Sequence, residues 1–145
     1  MSSQTDIQVN DSSEDPKSYV VAGAVLSCNS GTQLSRLKMP LSHGVYIKDN
    51  AQMNVDDYKS GVNIMPFGYC CNPQNPAVQN GRVDIEGVKK APCLPIVDIA
   101  WRNGKTDKLV EGSAALLDHC TTSCMHGGEI FIVDNGQNLG GTKIG

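Results

Sequence analysis

Glycine and proline interrupt this chain at short intervals from Pro16 onward, with fifteen glycines and seven prolines among 145 residues. A helix cannot run far before meeting a residue that weakens or breaks it. The segments between the interruptions are the length of short strands. The first ordered stretch is Ser18–Cys28, β-branched with a break at Gly23, followed by a turn at Asn29–Gly31. Thr32–Met39 alternates only weakly. His43–Asn50 reads as a short strand and turn, and Gly61–Pro76 as a strand entering a proline-stiffened loop. Arg82–Glu86 alternates as a half-buried strand should, Ala91–Pro95 reads as a turn, and Ile96–Trp101 as a further strand. Asn103-Gly104 is a hairpin signal, and Glu129–Val133, between Gly127-Gly128 and Asn135-Gly136, is the clearest strand. Asp56-Asp57 reads as a solvated turn and Trp101, the lone tryptophan, as a core anchor. The expected class is all-β, built from short hairpins, with at most one short helix, placed within Ser113–Ser123.

The chain divides on composition. Residues 1–17 are polar and lack apolar periodicity, so they read as a flexible extension that cannot repay its own ordering entropy. Residues 18–137 form one β domain, and residues 138–145 a frayed, glycine-rich tail. There is no exact internal repeat. A loose recurrence does exist, of a strand, a turn and a cysteine beside proline or glycine, at Cys70, Cys93 and Cys124. It would suit similar hairpins arranged around one axis.

A formal charge of −3, with no basic stripe, argues against nucleic acid as a partner, because phosphate recognition needs a positive surface. No apolar run approaches the length of a membrane span. The N-terminus has neither a basic leader nor an apolar region, so the expectation is a cytoplasmic protein without a signal peptide, exported only if a machine carries it.

Six cysteines in such a chain are more often thiols or metal ligands than disulfides in a reducing compartment. Cys28, Cys70, Cys93 and Cys124 each fall at the end of an expected strand or in the turn beside it. Four strand-end thiolates meeting at one point would suit a tetrahedral structural zinc ion. Such an ion would also add folding free energy to a loop-rich chain with 5% aromatics. The intervals are long and contain no CxxC knuckle, so buried, inert cysteines are an equal reading. Cys120 and Cys124, four apart, would share a face of a helical turn, and either could be that segment's ligand. Cys70 and Cys71 would point to opposite sides of an extended chain. His126, two residues past Cys124, is a further candidate ligand, whereas His43 and His119 read as exposed or structurally satisfied. A Cys–His nucleophilic pair is the competing chemistry, but no local signature of such an enzyme is present.

Several of these stretches together resemble the PAAR-like spike-tip family of type VI secretion and related contractile injection systems. Tyr19–Cys28 is similar to its opening V-x-G-A-x-L-x-C, and Val62–Cys70, followed by Asn75-Pro76, to its central motif. Ala91–Pro95 resembles its x-P-C-x-P turn, with Trp101 downstream, and Cys124–Ile132 its closing C-x-x-G-G-x-I-x-I strand, with Gly136-Gln137 beyond. The resemblance implies a small cone or wedge of β-hairpins with quasi-threefold arrangement that sharpens a trimeric spike. The partner would be a spike protein of the VgrG type, met by one monomer at the tip. Effector cargo would be carried through residues 1–17, and delivery would follow from sheath contraction. It implies a structural role rather than an enzyme.

Ordinary members of that family hold an apical metal mostly with histidine. Here the matched positions carry Cys28, Cys70, Cys93 and Cys124, so the implied site is all-cysteine, with Cys71, Cys120 and His126 as alternates. Zinc is the expected ion, and soft ligands admit iron. The rival readings are a metal-stabilised β adaptor without a secretion role and a Cys–His hydrolytic effector.

Overall fold

A computed structural model describes residues 18–47 and 49–137. The expected extension over residues 1–17 and tail over 138–145 lie outside the described residues. Eleven short strands and one helical turn make up the described chain: β1 Val25–Cys28, β2 Ser35–Arg36, β3 Tyr46–Ile47, β4 Asn50–Ala51, β5 Tyr69–Cys70, α1 Pro76–Gln79, β6 Arg82–Val83, β7 Lys89–Pro92, β8 Lys105–Val110, β9 Ser113–Ala115, β10 Thr121–Ser123 and β11 Glu129–Asp134. The fold is all-β, as expected, and every strand pair is antiparallel.

The strands form four small sheets, ordered β10-β11-β1-β2, β3-β4, β5-β7-β6 and β8-β9. Isolated bridges stitch them together, among them Val21 to Gln52, Gly31 to Cys70, Leu37 to Ile64, Asn54 to Ala115 and Arg102 to Thr121. Short sheets of this kind expose few shared apolar faces, so the core must be common to all of them. Val20, Leu26, Leu37, Met53, Ile64, Phe67, Leu116 and Ile130 are fully buried and come from segments spread across the whole described chain. At about 1.5–3 kcal/mol for each large apolar side chain buried, this shared core is what the loops are fastened to.

Asn and Asp side chains shape many of the turns. Asn54, Asn72, Asn75, Asp84, Asp134 and Asn135 each accept the backbone N–H two residues ahead through a side-chain oxygen at 2.9–3.0 Å. Such local bonds satisfy the backbone without a ladder, which is why so much of the chain is ordered yet belongs to no strand.

Several expectations need correction. The helix is not within Ser113–Ser123, where β9 and β10 lie instead. The backbone there is used sideways, Leu116 N donating to Met53 O and Val20 N to Leu116 O, both at 3.0 Å. The helical turn is Pro76–Gln79, with Asn75 as N-cap and proline in its first turn. Ile96–Trp101 pairs with no strand, whereas Ala91-Pro92, read as a turn, ends β7. Arg82–Glu86 is not half-buried: Val83 and Ile85 both face solvent. Asn103-Gly104 does turn the chain, with Asn103 at φ 72°, but the hairpin joining β8 to β9 turns at Glu111-Gly112, at φ 50° and 87°. Asp57 is buried, not solvated, and Trp101 is a core residue as expected, donating its Nε1–H to the Asp57 carbonyl at 3.0 Å.

Candidate functional site

Strand register brings the four strand-end cysteines into one neighbourhood. Cys28 ends β1 and lies opposite Ile130 on β11. Cys70 ends β5 and bridges to Gly31, three residues past Cys28. Cys93 follows β7, which pairs with β5, and its N–H donates to Gly68 O at 2.9 Å. Cys124 follows β10 and opens the turn into β11, and its Sγ accepts the N–H of Ile96 at 3.4 Å. That turn, Cys124–Gly128, is closed by Cys124 N to Gly128 O at 2.8 Å and Gly127 N to Cys124 O at 2.9 Å.

Glycine is required twice in the turn. Gly127 has φ 95°, and a Cβ on Gly128 would stand 2.6 Å from Cys28 Sγ. The backbone at Gly128 thus leaves the space that the Cys28 sulfur occupies.

Cys28, Cys70 and Cys93 are buried, and Cys124 is half-buried. Burial is the main cause holding the Cys28 thiol above its ordinary range, and the nearby Cys124 and Cys70 push in the same direction. Cys93 is raised in the same way, first by burial and then by Cys70, Cys28 and Cys124, against a backbone N–H contact that favours the thiolate. Cys28 is thus affected by two of the other candidate ligands, Cys124 and Cys70, and Cys93 by all three, so the four sulfurs lie within electrostatic reach of one another.

Among the described residues, no group of three or more His, Cys, Asp or Glu side chains is arranged to hold a metal ion as it stands. Both observations hold, because charge repulsion reaches farther than a coordination bond. Sulfurs around a tetrahedral ion at 2.3 Å would lie about 3.8 Å apart, and closing on an ion asks the side chains to draw inward. The donor chemistry itself fits a soft divalent cation. Thiols that burial and mutual repulsion hold protonated are the groups a cation would convert to thiolates.

The alternates are placed differently. Cys71 is half-buried and lines a groove with Pro73, Val78, Gln79, Val88 and Lys89. Cys120 is in the core, its Sγ accepting the N–H of Leu117 at 3.3 Å. It lies at the edge of an extended segment, so it shares no helical face with Cys124. His126 is half-buried within the Cys124–Gly128 turn, and His119 is exposed.

Sequence reasoning missed a second polar cluster. His43 Nε2 meets Asp57 Oδ2 at 2.9 Å and Oδ1 at 3.1 Å, and its Nδ1 meets Glu111 Oε1. The three residues lie far apart in the chain, and no local pattern joins them.

The family model described as a domain of unknown function, DUF4280, matches residues 20–137. No curated protein and no solved structure matches. The matched span takes in all six cysteines, both glycines of the Cys124–Gly128 turn and the whole described core from Val20 onward. This all-β chain, with its strand-end thiols, belongs to the DUF4280 family.

Proposed function

We propose that this chain is a PAAR-like tip protein, a small β cone that caps a trimeric spike of the VgrG type in a contractile secretion system. Its role is mechanical, not catalytic. The observation that carries the reading is the meeting of Cys28, Cys70, Cys93 and Cys124 from four distant segments at neighbouring strand ends. Strand ends are where short sheets fray, since their last backbone groups have no further ladder to join. An ion held by one sulfur from each of the four segments would cross-link those ends. Zinc would be the expected metal, with iron the alternative for a thiolate set, and it would supply cross-linking rather than redox or hydrolytic chemistry.

This chain's own residues set the conditions. Gly128 makes room for Cys28, the Ile96 N–H donates to the Cys124 sulfur, and the Cys93 backbone is tied to Gly68. Backbone N–H donors to sulfur stabilise thiolate over thiol and hold its orientation. Because thiols must lose protons to bind, metal affinity rises with pH and falls in acid. The tip would travel with the spike on firing, so no leader sequence is needed, and the residues before Ser18 would be available for cargo.

Two measurements test the reading. Elemental analysis of the full chain purified without added metal is expected to give one zinc or iron per chain. Co-expression with a trimeric spike protein is expected to give a complex of three spike subunits and one tip. A metal-free, fully stable chain that does not associate with the spike would overturn it. Metal without spike association would favour the adaptor reading.

A further inference from the structure

The segment after β2 leaves the body of the fold as a strap. Its near end is tied where Leu37 N donates to Ala24 O and Gly23 N to Leu37 O, and Lys38 exchanges bonds with Asn63. Its far end returns at Val45, whose carbonyl accepts the N–H of Gln52. Between them, Met39–His43 make no backbone hydrogen bond among the described residues. Met39 rests on the core, but Leu41 is 84% exposed, and the Ser42 hydroxyl bonds forward within the same segment, to Tyr46 Oη at 2.7 Å and to the Gly44 N–H at 3.3 Å. Among the described residues, the polar contact that joins the 39–44 strap to the rest of the fold is the His43 ring.

That ring faces a carboxylate on each side. Asp57 lies in the turn after β4, where its Oδ2 also accepts the N–H of Asn54 at 2.8 Å. Glu111 forms the β8–β9 turn. An ionised carboxylate can only accept, so both ring nitrogens must donate, and only the imidazolium carries two N–H groups. We propose that His43 is a proton-operated clamp, fastening the 39–44 strap to the Asp57 turn and the β8–β9 turn while protonated and releasing it as pH rises.

The charged groups acting on the ring are Asp57 and Glu111. Asp56, beside Asp57, is engaged by the Ser113 hydroxyl. The strap from Met39 to Ile47 carries no other ionisable side chain than Tyr46. Burial works against the charged ring, but the bonds to Glu111 and Asp57 and their charges outweigh it, and the net shift is upward. A raised folded-state value means the clamp is fully closed below the free histidine value of about 6.5 and opens as pH climbs through the higher folded value. The clamp involves no cysteine and stands apart from the metal reading.

Two experiments on the full chain decide it. Nitrogen NMR of labelled histidine is expected to show both His43 nitrogens protonated at pH 6, with a titration midpoint above that of free histidine. Glu111→Gln, at an exposed turn, should lower that midpoint while the chain stays folded. Cleavage by chymotrypsin after Leu41, divided at each pH by cleavage of an unstructured strap peptide, should speed up by as much as about tenfold per pH unit within the opening window. His43→Gln should be cut fast at every pH. A His43 titration midpoint at or below that of free histidine, or the same pH profile of cleavage in wild type and His43→Gln, would overturn the clamp.

Discussion

The cysteine cluster and the His43 cluster are both built from residues far apart in sequence, yet they differ in how their charges are arranged. Around His43 a cation sits between two carboxylates, and each polar atom of the ring has a partner from the protein itself. Around Cys28 and Cys93 the neighbours are other thiols, whose ionised forms repel one another. The first arrangement is self-sufficient and is lost by removing a proton. The second holds its thiols neutral and has no ion pair of its own; in the proposed reading a cation would take the place of their protons. Like donors with no opposing charge are what the proposed ion would need, whereas the His43 triad completes its own charge balance.

The difference predicts opposite responses to the same treatments, the largest at the cysteines. Replacing Cys28 and Cys93 together by serine should abolish zinc retention and lower the unfolding temperature by more than about 10 °C relative to the loaded chain. A chelator should reproduce the loss in the wild type and have no effect on the double variant. Equal sensitivity of both proteins to chelator would break the comparison, since the fold would then be drawing its metal from elsewhere.

Asp57→Ala attacks the self-sufficient cluster. It removes the acceptor for both His43 Nε2 and the Asn54 N–H in a largely buried position, and should cost about 2–3 kcal/mol at pH 6. The cost should shrink as pH rises through the raised His43 value, because the charged partner is then already gone. Urea denaturation at several pH values measures it, and a cost that does not change with pH would show that His43 is not the partner that matters. Gly128→Ala should cost somewhat less, about 1–2 kcal/mol, because the new Cβ must displace the Cys28 sulfur. Unlike Asp57→Ala, it should also reduce metal retention.

Some of this was legible in the residues. The β class followed from the glycine and proline spacing, and β11 was clear because Ile130 and Ile132 point inward between two glycine turns. The placement of Cys28, Cys70, Cys93 and Cys124 at strand ends was also readable, since turn signals adjoin each one. The helix was misplaced because Ala114–Leu117 is apolar enough for either state, and only its pairing with β8 and Met53 selects extended chain. Val83 and Ile85 alternate convincingly but stand on a hairpin held by the Asp84 side chain, which accepts N–H bonds from Glu86 and Val88 at 2.9 Å. Local polar geometry there overrides what periodicity implies about burial. The His43 cluster was illegible because none of its three contacts is local.

The smallest predicted effect is the most discriminating, because it compares two adjacent thiols. Cys70 and Cys71 share a sequence environment, and a purely compositional account of the cysteines would treat them alike. In the fold Cys70 is buried, paired in register with Ala91 and close enough to Cys28 and Cys93 to act on both. Cys71, one residue on, is turned to the groove beside α1, with its N–H on Ser30 O at 2.8 Å. Extended backbone sends successive side chains to opposite faces, so the two sulfurs cannot serve one ion without a break in the strand. Cys71→Ser should therefore leave metal stoichiometry unchanged and shift stability by no more than about 0.5 kcal/mol, while Cys70→Ser should release metal. If Cys71→Ser releases metal and Cys70→Ser does not, the strand-end set is wrong, and the comparison must be redrawn around the α1 groove.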